Sequence, residues 1–125
     1  METIFVYGTL RRGFGNHRAM ANARPVGVGR TTARYDLRVD DLPFVMPGAT
    51  SRVRGELYEV DEAHLARLDA FEGHPRWYRR EQVGVETEDG KTVLAWMYLY
   101  LGEAKGRIVE SGDFADAGMA ARSMS

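Results

Sequence analysis

Glu72 is the side chain whose type and position fit worst with simple packing. On a helical wheel of about 100° per residue with Leu65 at zero, Leu68 falls at about 300°, Phe71 at about 240° and Glu72 at about 340°. Glu72 therefore continues the apolar stripe of a helix expected over 61–71, capped by Asp61 and stopped by Gly73 and Pro75. It also lies at the helix C-terminus, where the dipole disfavours an anion. Both factors raise its pKa, and a carboxyl tuned upward can take and return protons near neutral pH. In the competing reading the helix frays at residue 71 and Glu72 points into water. On the wheel alone that reading is the better supported, because element ends are the least securely placed.

The second place where chemistry can be read is Tyr7-Gly8-Thr9-Leu10. It follows Ile4-Phe5-Val6-Tyr7, a short apolar run expected to be a strand buried on both faces. As the chain turns outward it presents successive backbone N–H groups, and Gly8 lets a ligand approach closely. Such a turn can hold a carboxylate or stabilise an oxyanion, although most glycines after strands are only turns. His17, His64 and His74 fall on different elements, and no spacing suggests a metal site. With no cysteine, thiolate nucleophiles, disulfides and zinc–thiolate sites are excluded.

The elements that must position these groups read as follows. Asn16 is placed as the cap of a short helix from His17 to about Ala23, and is weighed as a cap rather than a ligand contact. Residues 26–39 form one or two strands, and Pro43, Pro47 and Gly48 mark an irregular loop. Arg52–Val60 alternates as a half-buried strand. Tyr78–Glu88 and Lys91–Leu101 form a hairpin across Asp89-Gly90, a pair suited to a type I′ turn. The second hairpin strand is apolar on both faces and is expected to be central and covered on both sides. Asp113 reads as a turn or cap residue, with a tie to the pocket mouth as its alternative. One domain over 1–114 is expected, with 115–125 a flexible tail. Strands outnumber helices, which points to α+β, with closure into a small barrel removing exposed edges.

Composition narrows the function classes. The 125 residues are 44% hydrophobic and 28% charged, enough for one packed core. Seventeen basic and 18 acidic residues give a net charge of −1, which argues against a nucleic-acid partner and for a small ligand. The arginine-rich surface reads as solvated and ion-paired. No leader and no membrane span is expected, and a cytoplasmic protein follows.

Several motifs in order carry a resemblance. They are Val6-Tyr7-Gly8-Thr9-Leu10-Arg11-Arg12-Gly13, Gly15-Asn16-His17, Gly55-Glu56-Leu57-Tyr58, Leu68-Asp69-Ala70-Phe71-Glu72-Gly73, Tyr78-Arg79-Arg80 and Trp96-Met97-Tyr98. Their order and spacing resemble the γ-glutamylcyclotransferase-like (AIG2-like) superfamily, nearest to its γ-glutamylamine cyclotransferase and small bacterial branch, over about residues 4 to 114. The segment Glu110-Ser111-Gly112-Asp113-Phe114 resembles bacterial members, which usually carry tryptophan at the last position.

The resemblance implies a small mixed, largely closed β-barrel with flanking helices. It implies cyclisation of a γ-glutamyl group to 5-oxoproline with release of an amine, and no metal or organic cofactor. Glu72 would be the general acid/base, and Tyr7, Gly8, Thr9, Leu10, Tyr78 and Tyr98 would line the substrate pocket. For Tyr78 and Tyr98, packing in the barrel wall is an equal alternative. A binding or regulatory protein on the same scaffold, holding a small amine or amino acid, is the alternative to an enzyme. Leaving-group choice is expected in loops 40–50 and 100–113, and the family's small members are often monomeric.

Overall fold

A computed structural model describes residues 1–117 of the chain. It contains β1 (Glu2–Val6), β2 (Arg24–Val39), β3 (Pro43–Pro47), β4 (Ser51–Val60), α1 (Glu62–Glu72), β5 (Tyr78–Thr87), β6 (Thr92–Tyr100) and β7 (Arg107–Ile108). The neighbour order β2-β4-β1-β6-β5 returns to β2, so five strands close on themselves, while β3 and β7 pair with β2 outside that ring. All pairings are antiparallel except β1 with β6, which meet in parallel at Ile4 and Trp96. The expected mixed, closed barrel with flanking helices is what forms.

Closure depends on β2, whose 16 residues pair with β4 along both halves and with β5 at the middle. Gly29 stands opposite Gly55 of β4 and Thr87 of β5. A Cβ at Gly29 would stand within 2.3 Å of the Glu86 carbonyl oxygen, so only glycine lets the two sheet edges meet there. Register shifts between Pro25 and Gly27 and between Arg30 and Arg34 bend the strand around the barrel.

Alternation along β1 explains why its whole apolar run is buried. Phe5 and Tyr7 enter the barrel interior with Val53, Val85 and Met97. Ile4 and Val6 face outward into a second cluster with Leu65 and Leu68 of α1 and with Tyr98. The helix thus packs on the outside of β1 and β6, and its C-terminus lies near the end of β1.

Four expectations are corrected. Pro43–Pro47 is a strand, because prolines at the two ends of an edge strand leave its ladder with β2 intact. The short helix is a single 3₁₀ turn, His17–Met20, ended by an extended Ala21 and a left-handed Asn22 at φ 73°. The hairpin turn is not type I′: only Gly90 has positive φ, and Gly90 N–H bonds Thr87 O while Thr87 N–H bonds Lys91 O. That is a three-residue loop with glycine in the left-handed position. The outer face of β6 is covered only in part, since Leu94 is 65% exposed. Beyond the barrel, residues 114–117 are helical and Ala117 is buried, while 118–125 of the expected tail lie outside the described residues. No helix among the described residues is long and apolar enough to cross a membrane.

Candidate active site

Where β1 ends, the chain turns through a tight bend in which Arg11 N–H donates to Gly8 O at 3.0 Å. Asn16 fixes the loop from the other side. Its N–H donates to Thr9 O at 3.0 Å and its Nδ2 to Thr9 Oγ1 at 2.9 Å. Its side chain does not cap the turn that follows, so Asn16 is a loop brace and not the expected helix cap. Among the described residues no acceptor takes the N–H groups of Gly8, Thr9 or Leu10. Three consecutive donors are thereby left for a ligand. Pro43 presses on this cradle, and a Cβ on Gly8 would stand 2.6 Å from Pro43 Cγ.

Opposite lies the end of α1. Asp61 caps its start by accepting from His64 N–H at 2.7 Å. Gly73 caps its end in the left-handed conformation at φ 69°, donating to Ala70 O, and His74 N–H closes on Asp69 O at 2.8 Å. The helix does not fray: Glu72 is its last residue and is half-buried. Leu65 and Leu68 fill the outer core, whereas Phe71 is 53% exposed at the pocket and does not extend the buried stripe. Burial raises the Glu72 carboxyl from 4.5 to about 7.

Three tyrosines surround this carboxyl. Tyr7 donates to the Tyr98 carbonyl at 2.9 Å, and Tyr98 donates to Asp69 Oδ1 at 2.7 Å. Tyr78 packs against Tyr100 with ring centroids 5.5 Å apart and planes tilted by 60°. Burial first, then the charge of nearby Glu72, raises Tyr7 well above the ordinary phenol value and Tyr78 to about 12. All three phenols are therefore protonated at neutral pH. Because Tyr7 and Tyr98 give their protons to protein acceptors, their oxygens offer a ligand only lone pairs.

One cavity of about 180 Å³ is lined by all seven residues singled out in the sequence, Tyr7, Gly8, Thr9, Leu10, Glu72, Tyr78 and Tyr98. Phe5, Asn16, Leu42, Pro43 and Phe71 complete much of its wall. A larger groove of about 580 Å³ between the start of β2 and the β5–β6 turn contains none of the seven. There Glu56 Oε1 is engaged by the Arg12 N–H and the Tyr58 hydroxyl. Among the described residues no three histidine or carboxylate side chains gather as a metal site would require.

Sequence reasoning missed the support of this cavity. Asp69 Oδ1 accepts from Arg80 Nε at 2.8 Å as well as from Tyr98, and Arg80 lies 4.4 Å over the Trp96 ring. Arg11 Nη1 donates to Asp113 Oδ1 at 2.8 Å, and Asp113 also accepts from Ala115 N–H. Asp113 thus does both jobs weighed for it, capping the last turn and tying it to the cradle. Asp69 sits three residues before Glu72, a spacing visible in the chain, but nothing local could reveal partners 11 and 29 positions away.

Comparison with known proteins agrees with this fold. A family model described as "Gamma-glutamyl cyclotransferase, AIG2-like" matches residues 4–116. A Methanocaldococcus jannaschii relative that bears a provisional gamma-glutamylcyclotransferase name is 45% identical over 118 residues, covering 93% of this chain and 98% of its own. The Escherichia coli K12 gamma-glutamylcyclotransferase family protein YtfP is 38% identical over 115 residues, covering 90% and 96%. The crystal structure of an AIG2-like protein from Mus musculus superposes with a TM-score of 0.82 at 35% identity, covering 90% of this chain and 88% of that one. The chain belongs to the AIG2-like γ-glutamylcyclotransferase family.

Proposed function

We propose that this chain is a cytoplasmic, cofactor-independent cyclotransferase that converts a γ-glutamyl amine or peptide into 5-oxoproline and the free amine. One observation carries the reading. A carboxyl raised to about 7 shares a small pocket with three unclaimed backbone donors.

A γ-glutamyl group has an α-carboxylate and an α-ammonium at one end and an amide at the other. The N–H groups of Gly8, Thr9 and Leu10 complement the carboxylate, and the oxygens of Tyr7 and Tyr98 complement the ammonium. Held this way, the substrate is folded so that its own amine reaches its γ-carbonyl, and the nucleophile needs no second binding event. Ionised Glu72 takes one proton from the α-ammonium. The freed nitrogen forms a C–N bond to the γ-carbon, giving a tetrahedral adduct. Protonated Glu72 then returns the proton to the departing nitrogen as the original amide C–N bond breaks, and the ring nitrogen sheds its second proton, which the released amine carries away as an ammonium. A carboxyl with a pKa of about 7 is about half ionised at neutral pH, which suits both steps.

The test is an assay of 5-oxoproline from a panel of γ-glutamyl amines, γ-glutamyl peptides and glutathione. Wild-type protein turns over at least one of them, and Glu72→Gln loses about 10²–10⁴-fold in rate while still binding it. Binding without product from any compound would instead identify a small-molecule binding protein on this scaffold.

A further inference from the structure

Two carboxyl groups stand three residues apart at the end of α1, where the helix dipole disfavours both, and their surroundings push them in opposite directions. Glu72 lines the cavity and is raised by burial, whereas Asp69 is not among the lining side chains and is lowered by its partners. Asp69 Oδ1 accepts from Arg80 Nε at 2.8 Å and from the Tyr98 hydroxyl at 2.7 Å. Arg80 is pinned in turn, its guanidinium 4.4 Å over the Trp96 ring and its N–H donating to His74 Nδ1 at 3.2 Å. Trp96 Nε1 is itself fixed by Glu2 Oε1 at 2.8 Å. A plain tie between α1 and β5 would need no more than this. Tyr98 makes the difference, because it is buried, lines the cavity and commits its one phenolic proton to Asp69. The negative charge of Asp69 thus stands directly behind an oxygen of the cavity wall.

We infer that Asp69 is a positioning residue that sets specificity: acting through the Tyr98 hydroxyl, it makes the site select ligands whose α-nitrogen is a charged ammonium. The inference rests on the cyclotransferase reading for the pose of the ligand. An ammonium bonded to the Tyr98 oxygen stands about 5–6 Å from Asp69 Oδ1, a separation at which an opposite charge acts strongly in a desolvated pocket. Donation to an anion also polarises the phenol, so that its lone pairs accept better. Glu72 cannot supply a steady attraction, since it gains and loses a proton as the reaction proceeds. Asp69 keeps its charge throughout, and two carboxyls tuned apart on one helix end divide the work between a fixed anion and a proton carrier. Arg80 restrains Asp69 and offsets part of its charge, so the two partners act on the ligand with opposite sign.

The experiment titrates γ-glutamyl ethylamide, and glutaryl ethylamide, which lacks only the α-amine, into Glu72→Gln by calorimetry at neutral pH. With residue 72 uncharged, the γ-glutamyl compound should bind tighter by about tenfold or more. Adding Asp69→Asn keeps the oxygen that accepts both hydrogen bonds and removes only the charge. The ratio should then fall about tenfold, through weaker binding of the γ-glutamyl compound alone. Adding Arg80→Met should not lower the ratio, and Arg79→Met, at an exposed arginine paired with Glu81, should leave it unchanged. With Glu72 in place, Asp69→Asn should raise KM about tenfold and hold kcat within about twofold. Equal weakening of both compounds in Asp69→Asn, or no change in either, would overturn the inference and leave Asp69 a tie between α1 and β5. A 5-oxoproline assay of the wild type separates the two readings. Ammonium-selective binding without turnover keeps the role of Asp69 and removes the cyclotransferase. Turnover with a ratio indifferent to Asp69→Asn does the reverse, and binding of neither compound removes both.

Discussion

The phenolic oxygen of Tyr98 lies 2.7 Å from Oδ1 of Asp69, one helical turn before Glu72. Burial works to raise the Asp69 carboxyl, but hydrogen bonds from Arg80 and Tyr98 and the charges of Arg80 and His74 outweigh it and hold it below its ordinary value. Asp69 is therefore an anion that claims the Tyr98 proton and turns the phenol into an acceptor. Tyr98→Phe removes that acceptor from the pocket without disturbing Glu72. If the proposed reaction holds, with the lost contact made to the substrate's ground-state ammonium, steady-state kinetics should show KM rising about tenfold with kcat little changed. A fall in kcat at constant KM would place Tyr98 in the bond-making step.

Burial of Glu72 has a stability consequence of defined sign. Its folded value of about 7 lies above its unfolded value of 4.5, so the folded state holds the proton more tightly. Below pH 4.5 the group has no effect on stability; folding loses stability as pH rises from 4.5 through 7, by about 3 kcal/mol in all, and that cost stays constant at higher pH. Urea unfolding of wild type and Glu72→Gln at pH 5 and pH 8 measures this. The variant should gain on wild type by about 2–3 kcal/mol between the two pH values. Equal pH dependence of the two proteins would mean that Glu72 is solvated.

The helix from Asp61 to Gly73 and the strand entering Gly8 were legible because cap residues and short apolar runs act locally. Once the helix is known to hold through Glu72, its carboxyl falls where the wheel placed it. For Phe71 the wheel reports a direction and not what lies opposite, which here is the open pocket. Pro43–Pro47 reads as a loop in sequence because proline is a breaker unless the strand is known to be an edge. Arg11–Asp113 and Asp69–Arg80 join residues 102 and 11 positions apart, and single-chain pattern carries no signal for such pairs.

The Arg11–Asp113 pair holds the last described turn against the cradle. The two side chains are 10% and 18% exposed, and among the described residues Arg11 Nε has no partner, so the guanidinium depends on this carboxylate. Burial acts to raise Asp113, yet the Arg11 and Ala115 hydrogen bonds and the charges of Arg11 and Arg54 bring it below its ordinary value. A carboxylate lowered on folding stabilises fully above its unfolded value of about 3.9 and stops doing so as pH falls through its folded one. Asp113→Ala should therefore cost about 2–3 kcal/mol at pH 7 in urea unfolding. The gap to wild type should narrow at about pH 3. A gap independent of pH would assign the loss to packing alone.

Gly8 offers the sharpest test of the cradle, because its backbone needs no glycine for conformational reasons. It is absent from the positive-φ glycines, so alanine is tolerated by the backbone and opposed first by Pro43, whose Cγ would stand 2.6 Å from the new Cβ. A proline ring cannot rotate away, so either β3 retreats or the Gly8–Leu10 loop shifts. Gly8→Ala should cost about 1–3 kcal/mol in stability and should weaken binding of a γ-glutamyl amide to Glu72→Gln in calorimetry by about tenfold. Replacing Pro43 by glycine removes the opposing atoms. Gly8→Ala/Pro43→Gly should then recover much of the binding that Gly8→Ala loses, a coupling that independent sites would not show. If the double change is simply additive, the cradle is set by Asn16 and not by the press of Pro43.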